Sequence, residues 1–194
     1  LQIGEAAAEI MERYQQQEKR SRDLPLVSNQ GEKPVWAELS LRGAAAKPMA
    51  TAGYRISRRF FTLDGKSADL SAVTHNERLI ALIEGEVPKS EENASPMVVD
   101  LLPAGLELDN PELSGFDLTS TLAWIGSRTS TQHQEYRDDR YLAVLDEGVN
   151  DFRLSYVVRA ITPGSYAVPP VLIEDMYRPQ RRAVSGMQQL TVKP

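Results

Sequence analysis

The stretch Glu174-Asp175-Met176-Tyr177-Arg178-Pro179 carries the residue types most able to act on something else. Two acids, a thioether, a phenol and a guanidinium follow one another where an extended run ends. Charges and a proline on either side keep the Met-Tyr pair out of a strand interior. The pair is therefore expected at a strand end or in the loop after it, where β-sandwiches present residues to partners. Met and Tyr both bury much apolar area at small polar cost, and a phenol ring can exclude water while its hydroxyl keeps a hydrogen bond. Met176 and Tyr177 are thus the candidate contact residues, with Glu174, Asp175 and Arg178 in support.

Other residues capable of chemistry read as structural. His75 and His133 are the only histidines. Neither has a second histidine or a paired carboxylate at ligand spacing, so both read as surface residues. Asp138-Asp139 could hold calcium if other oxygens converged on them. Their neighbours Arg137 and Arg140 point instead to ion pairs near the start of a strand. Glu91-Glu92 reads as a solvated loop, and Arg178, Arg181 and Arg182 as a basic cluster on a solvated face. The absence of cysteine excludes a disulfide, a thiolate zinc site and a cysteine nucleophile. No Gly-rich phosphate loop or G-x-S-x-G context is present. Nothing in the sequence argues for an enzyme, a cofactor or a metal.

The bulk properties agree. A net charge of −5 gives no reason to expect nucleic acid or an anionic membrane as partner. No apolar run approaches the roughly 20 residues needed to span a bilayer, and no signal peptide is present. The chain opens at Leu1, which reads as a processed or excised piece of something longer. Its 194 residues suffice for one fair-sized domain, or one domain and a fragment of another.

The elements that must position the Met-Tyr pair are mostly strands. Residues 4–22 are the exception. Ile3, Ala7, Ile10, Met11 and Tyr14 make one apolar stripe, and Leu24-Pro25 ends the predicted helix. Val35 to Leu41 alternates between Gly31 and Gly43, and 43–53 reads as a connection. Tyr54, Ile56, Arg58 and Phe60 alternate with Arg55, Ser57, Arg59 and Phe61, and Asp64-Gly65 is a turn signal. Further strands are expected at Arg78 to Val87 and Pro96 to Leu102, with a turn at Pro103-Ala104-Gly105. Gly115 to Ile125 is ambiguous between helix and strand. Tyr136 to Leu145 includes a strand with Tyr141, Ala143 and Leu145 on one face. Phe152, Leu154, Tyr156, Val158 and Ala160 share one face of a half-buried strand. Pro163-Gly164 breaks it, and a second extended run, Tyr166 to Ile173, follows. Pro169-Pro170 marks that run as an edge or as a strand that ends early. The last strand is Met187 to Val192. Several short strands between turn signals, with one peripheral helix, predict a mainly β chain forming an antiparallel β-sandwich.

The segments VVDLLPAGLELDNPEL (98–113), EYRDDRYLAVLD (135–146), LSYVVRAITPGSYAVPPVLIEDMYRP (154–179) and the closing GMQQLTVKP resemble the C-terminal end of the bacterial alpha-macroglobulins. So does RRFFTLDGKSADLSAV (58–73). The resemblance runs from about Val27 to the C-terminus and does not reach the N-terminal helix. It implies that residues 51–194 form the terminal macroglobulin-like sandwich. Residues 1–50 are then a helix plus a β segment, of which 27 to about 43 resembles the tail of a preceding split β domain. It further implies a large periplasmic, inner-membrane-associated parent that traps proteases after cleavage of a bait region. Many such parents carry a thioester in a helical domain, over which the Met-Tyr of the EDMYRP-like motif packs to keep out water. Here those residues are Met176 and Tyr177. The implied partners are the other domains of the parent and, through it, target proteases.

Three readings stay open. One is a non-catalytic module of a protease-trapping inhibitor. Another is a structural or adhesive sandwich binding other envelope proteins. The third is a carbohydrate-binding or hydrolase accessory module, which would want a row of exposed aromatics where this chain has 7% aromatic residues in all.

Overall fold

In the computed structural model the described residues are 2–3, 28–29, 48–89, 94–109 and 123–194. The chain forms two compact units, residues 1–42 and 43–194. In the first, β1 (Gln2–Ile3) pairs in parallel with β2 (Ser28–Asn29). The helix expected over 4–22 and the strand expected over Val35 to Leu41 lie outside the described residues.

The second unit is a mainly antiparallel β-sandwich. Its strands are β3 (Met49–Ala50), β4 (Arg55–Thr62), β5 (Val73–Thr74), β6 (Arg78–Glu86), β7 (Pro96–Leu101), β8 (Leu106–Leu108), β9 (Thr131–Arg137), β10 (Arg140–Leu145), β11 (Asp151–Ala160), β12 (Gly164–Val168), β13 (Val171–Asp175), β14 (Arg178–Val184) and β15 (Gln188–Lys193). One sheet has six strands in the order β3-β14-β13-β7-β10-β9, and another has four, β4-β6-β11-β8. A three-stranded sheet, β12-β15-β5, includes a parallel pairing between β15 and β5. Tyr54, Phe60, Leu79, Ile83, Leu154 and Tyr156 come from the four-stranded side, and Val98, Tyr141, Leu145, Val171 and Ile173 from the six-stranded side. They meet in one buried core, which Val168, Leu190 and Val192 extend under the small sheet. Alternation along each strand places these residues on inward faces and their neighbours outward.

The phase of β11 is as its sequence predicts, with Phe152, Leu154, Tyr156, Val158 and Ala160 buried together. The expected half-burial is corrected, because Ser155 and Val157 are buried too. Val157 belongs to a second apolar cluster with Ile80, Leu82 and Ile125, on the other face of the four-stranded sheet. The 3-10 turn Ala123–Ile125 brings Ile125 to it, and Trp124 lies 4.9 Å from the Phe61 ring. A sheet covered on both faces needs near-continuous apolar strands, which accounts for the Leu79–Ile83 run. Gly85 is required by the same packing. A Cβ there would lie 2.2 Å from the Arg55 carbonyl oxygen and 2.4 Å from Phe152 Cζ.

The single run expected over Tyr166 to Ile173 is in fact two strands in different sheets. Pro169-Pro170 stands between β12 and β13 and carries the chain from one sheet to the other. Neither proline has an N–H for a ladder, so the run cannot continue as one strand. The basic cluster Arg178, Arg181 and Arg182, expected on a solvated face, lies along β14, where none of the three is buried.

Three polar groups meet inside the core. Arg58 and Asp100 are both buried and ion-paired across the two large sheets. Arg58 also donates to the Pro169 carbonyl (2.7 Å), and the Tyr156 hydroxyl donates to Asp100 Oδ2 (2.6 Å). Tyr141 stacks on Tyr156 at 4.6 Å. Burial, and next the Asp100 charge, push the Tyr156 phenol well above its ordinary range. The forked reach of the guanidinium joins β4, β7 and the β12–β13 crossing at one point.

Candidate interdomain contact site

Met176 and Tyr177 are the two residues between paired positions Asp175 and Arg178, at the turn joining β13 to β14. Neither has a positive φ, so the mirror-image turns common in two-residue hairpins are excluded. The turn is stabilised instead by a side chain. Asp175 has a fully buried carboxylate. Its Oδ1 accepts from the backbone N–H of Tyr177 (2.9 Å) and of Arg178 (3.0 Å). Its Oδ2 accepts from Arg178 Nε (3.0 Å) and from the terminal guanidinium nitrogen (2.7 Å). An aspartate bonding the backbone N–H two and three residues on forms a local turn of this kind. The Met176 N–H donates to the Ser95 carbonyl (3.0 Å), which ties the turn to the strand β7 beside it. Asp175 points inward by the unbroken alternation of β13, and the register shift beside it falls on β14, between Arg178 and Arg182.

Burial acts to raise the Asp175 carboxyl, but Arg178 and the two backbone donors outweigh it, and the group is held below the usual aspartate value. Tyr54 lies fully buried nearby, and its phenol is raised by burial first and then by the Asp175 charge. Among the described residues its hydroxyl finds no hydrogen-bond partner. The mount is therefore charged, buried and closed, while the two residues it carries are not. Met176 is 47% exposed and Tyr177 79%.

Of the five residues the sequence singles out, the structure joins Asp175, Met176, Tyr177 and Arg178 in one turn. Glu174 stands apart on the opposite face of β13, in register with Arg182 and Met97. Sequence reasoning missed Tyr54 and Ser95, because nothing local relates positions 54 or 95 to position 175. His75 and His133 are exposed, as expected. Asp139 pairs with Arg140 (2.6 Å) at the turn between β9 and β10, the ion-pair reading of that motif.

The arrangement is a macroglobulin-like β-sandwich that presents an apolar tip on a fixed turn. Comparison with known proteins places it more narrowly. The family model "Bacterial Alpha-2-macroglobulin MG10 domain" matches residues 53–180, and the chain belongs to the bacterial alpha-2-macroglobulins. It is 34% identical over 178 residues to the alpha-2-macroglobulin of Xylella fastidiosa, covering 84% of this chain and 10% of that protein. A structure of native alpha-2-macroglobulin from Escherichia coli, spanning domain MG7 to the C-terminus, superimposes with a TM-score of 0.65 and 34% identity. It covers 78% of this chain and 25% of that one. The Escherichia coli protein activated by porcine elastase gives a TM-score of 0.64 and 35% identity, over 76% of this chain and 14% of that one. The chain spans about a tenth of the length of the curated relatives it matches.

Proposed function

We propose that this chain is a non-catalytic module of a periplasmic, inner-membrane-associated protease trap, and that its tip packs on and shields the helical thioester-type domain of the parent. The observation that carries the reading is the contrast at the turn: a fully buried carboxylate holds a Tyr that is 79% exposed. An exposed phenol on a flexible loop would lose much of its contact energy to ordering. One held in place beforehand loses little. Tyr is also among the residues that dominate binding when seated in a partner's pocket. Family membership supports the trap itself, as does the elastase-activated state of the Escherichia coli relative.

The chemistry of shielding is simple. A thioester is lost to water unless it is kept dry, and a phenol ring laid over it excludes water without leaving its own hydroxyl unpaired. The test is Met176→Ala with Tyr177→Ala in the full-length parent. The expected result is faster loss of the thioester to water or methylamine, with the melting temperature of the 194-residue chain nearly unchanged. If the parent has no thioester, faster hydrogen exchange in the facing domain is the expected sign. An unchanged thioester lifetime, or unchanged exchange where there is none, together with a large drop in the chain's own melting temperature, would make Tyr177 a local anchor instead.

A further inference from the structure

The outer face of the six-stranded sheet is apolar where an antiparallel sheet facing water is ordinarily polar. Paired positions run across five strands in one row: Met49, Val184, Leu172, Val99 and Leu142. Met97 and Val144 are paired in the next row. Leu101 follows Val99 two residues along β7. On β7, β10, β13 and β14 each alternates with a buried neighbour, so these point away from the core, and Met49, on a β3 exposed throughout, joins the row by its pairing with Val184. None is fully buried, and Met49 (45%) and Leu101 (41%) are openly exposed. By contrast, the outer face of the four-stranded sheet is covered by Ile125 and its turn.

At about 4.8 Å between strands and 3.4 Å per residue, the row of five is about 19 Å wide and the patch reaches about 14 Å along β7 alone, so its area is well under the roughly 250 Å² of that rectangle. Charged residues border it. Arg182 and Glu174 continue the row of Met97, Arg140 is paired with Leu101, and Glu135 with Leu142. An apolar centre with a charged rim is the anatomy of a protein interface. A standard interface buries roughly 800 Å² on each partner, so a patch of this size matches the apolar centre of an interface and not its whole extent.

We propose that this face is a second docking surface, separate from the tip, and that its occupant is an apolar surface of another domain of the same parent chain. The inference rests on the reading of this chain as a module of a larger protein. The relatives are about ten times longer than the matched region, so the parent supplies many candidate surfaces. Connectivity favours them over a free partner. The polypeptide before Pro48 joins the sandwich at Met49, on β3, the edge strand that borders the patch. Covalent attachment there gives upstream domains an effective concentration on the order of millimolar, at which a modest apolar centre suffices.

The methionines report on both surfaces in one experiment. Met49 and Met97 lie on the patch and Met176 on the tip. Peroxide oxidation of each is followed by mass spectrometry in the 194-residue chain and in the full-length parent. The expected result is oxidation of Met49 and Met97 about tenfold slower in the parent, with the 194-residue chain monomeric by sedimentation. Leu142→Lys with Leu172→Lys in the parent should return Met49 to the rate seen in the 194-residue chain. Equal Met49 and Met97 rates in chain and parent overturn the proposal, whatever Met176 does. Met176 unprotected beside protected Met49 and Met97 instead refutes the tip reading and leaves the second surface standing. A 194-residue chain that dimerises with Met49 already protected shows that the occupant is a second copy, and also overturns the proposal.

Discussion

Replacing Asp175 separates the turn's two stabilising contributions. Asp175→Ala removes the acceptor for the Tyr177 and Arg178 amides and the partner of the Arg178 guanidinium. Asp175→Asn keeps an oxygen facing the two amides, removes the charge, and turns an NH2 donor toward the Arg178 guanidinium in place of the accepting Oδ2. A hydrogen bond to a charged group contributes about 1.5–3 kcal/mol. The four bonds do not add, because the buried carboxylate also loses its hydration, and the Arg178 half is discounted for a side chain 31% exposed. The net cost is about 3 kcal/mol for Ala and about 1–1.5 for Asn. For a chain of this size these correspond to about 10 °C and about 4 °C in Tm. Amide exchange at Tyr177 and Arg178 then distinguishes the variants. Asp175→Ala should exchange roughly a hundredfold faster at both positions, and Asp175→Asn should remain protected. The pH dependence adds a sign. The native carboxyl lies below its usual value, so its stabilisation is complete above the unfolded value of about 3.9 and is lost as pH falls through the native one. The wild type should therefore lose more stability between about pH 5 and pH 2 than Asp175→Asn does. Equal and small effects of both substitutions, with unchanged exchange at Tyr177, would refute the carboxylate as the mount of the tip.

Other outcomes follow from the core. Arg58→Met leaves the Asp100 carboxylate buried without its cation and should cost about 3–5 kcal/mol in urea unfolding, while adding Asp100→Leu should recover part of that loss. Tyr156→Ala should cost about 3–5 kcal/mol, because it deletes a fully buried ring stacked on Tyr141. A change within error in either measurement would contradict the burial described. Gly85→Ala places a methyl group 2.2 Å from a backbone oxygen and should cost more than about 2 kcal/mol, read as a fall in urea midpoint at constant slope.

The strands were legible where a period of two met one buried face. β4, β10 and β11 show their inward residues in the alternation of Tyr54-Ile56-Arg58-Phe60, Tyr141-Ala143-Leu145 and Phe152-Leu154-Tyr156, since side chains on a pleated strand must alternate. Arg58 and Asp100 also occupy inward phases of their strands, but alternation alone does not show that the two charges meet. The exposed turn at Met176-Tyr177 was legible too, although the charges and the proline that signalled it lie within β13 and β14 themselves. What tertiary structure decided was which strands share a sheet. Alternation says which face is inward but not what lies opposite it, so Pro169-Pro170 could signal an edge or the early end of a strand, the latter seen at Val168, but not the crossing between sheets that it marks. The cover that Ile125 places over Val157 was equally hidden, since a strand buried on both faces loses the contrast on which periodicity depends. The tip's mount shows the same division. Residues 174–179 determined that a turn forms there, whereas Tyr54 and Ser95, far away in sequence, come to it only because β4 and β7 pack beside β13 and β14.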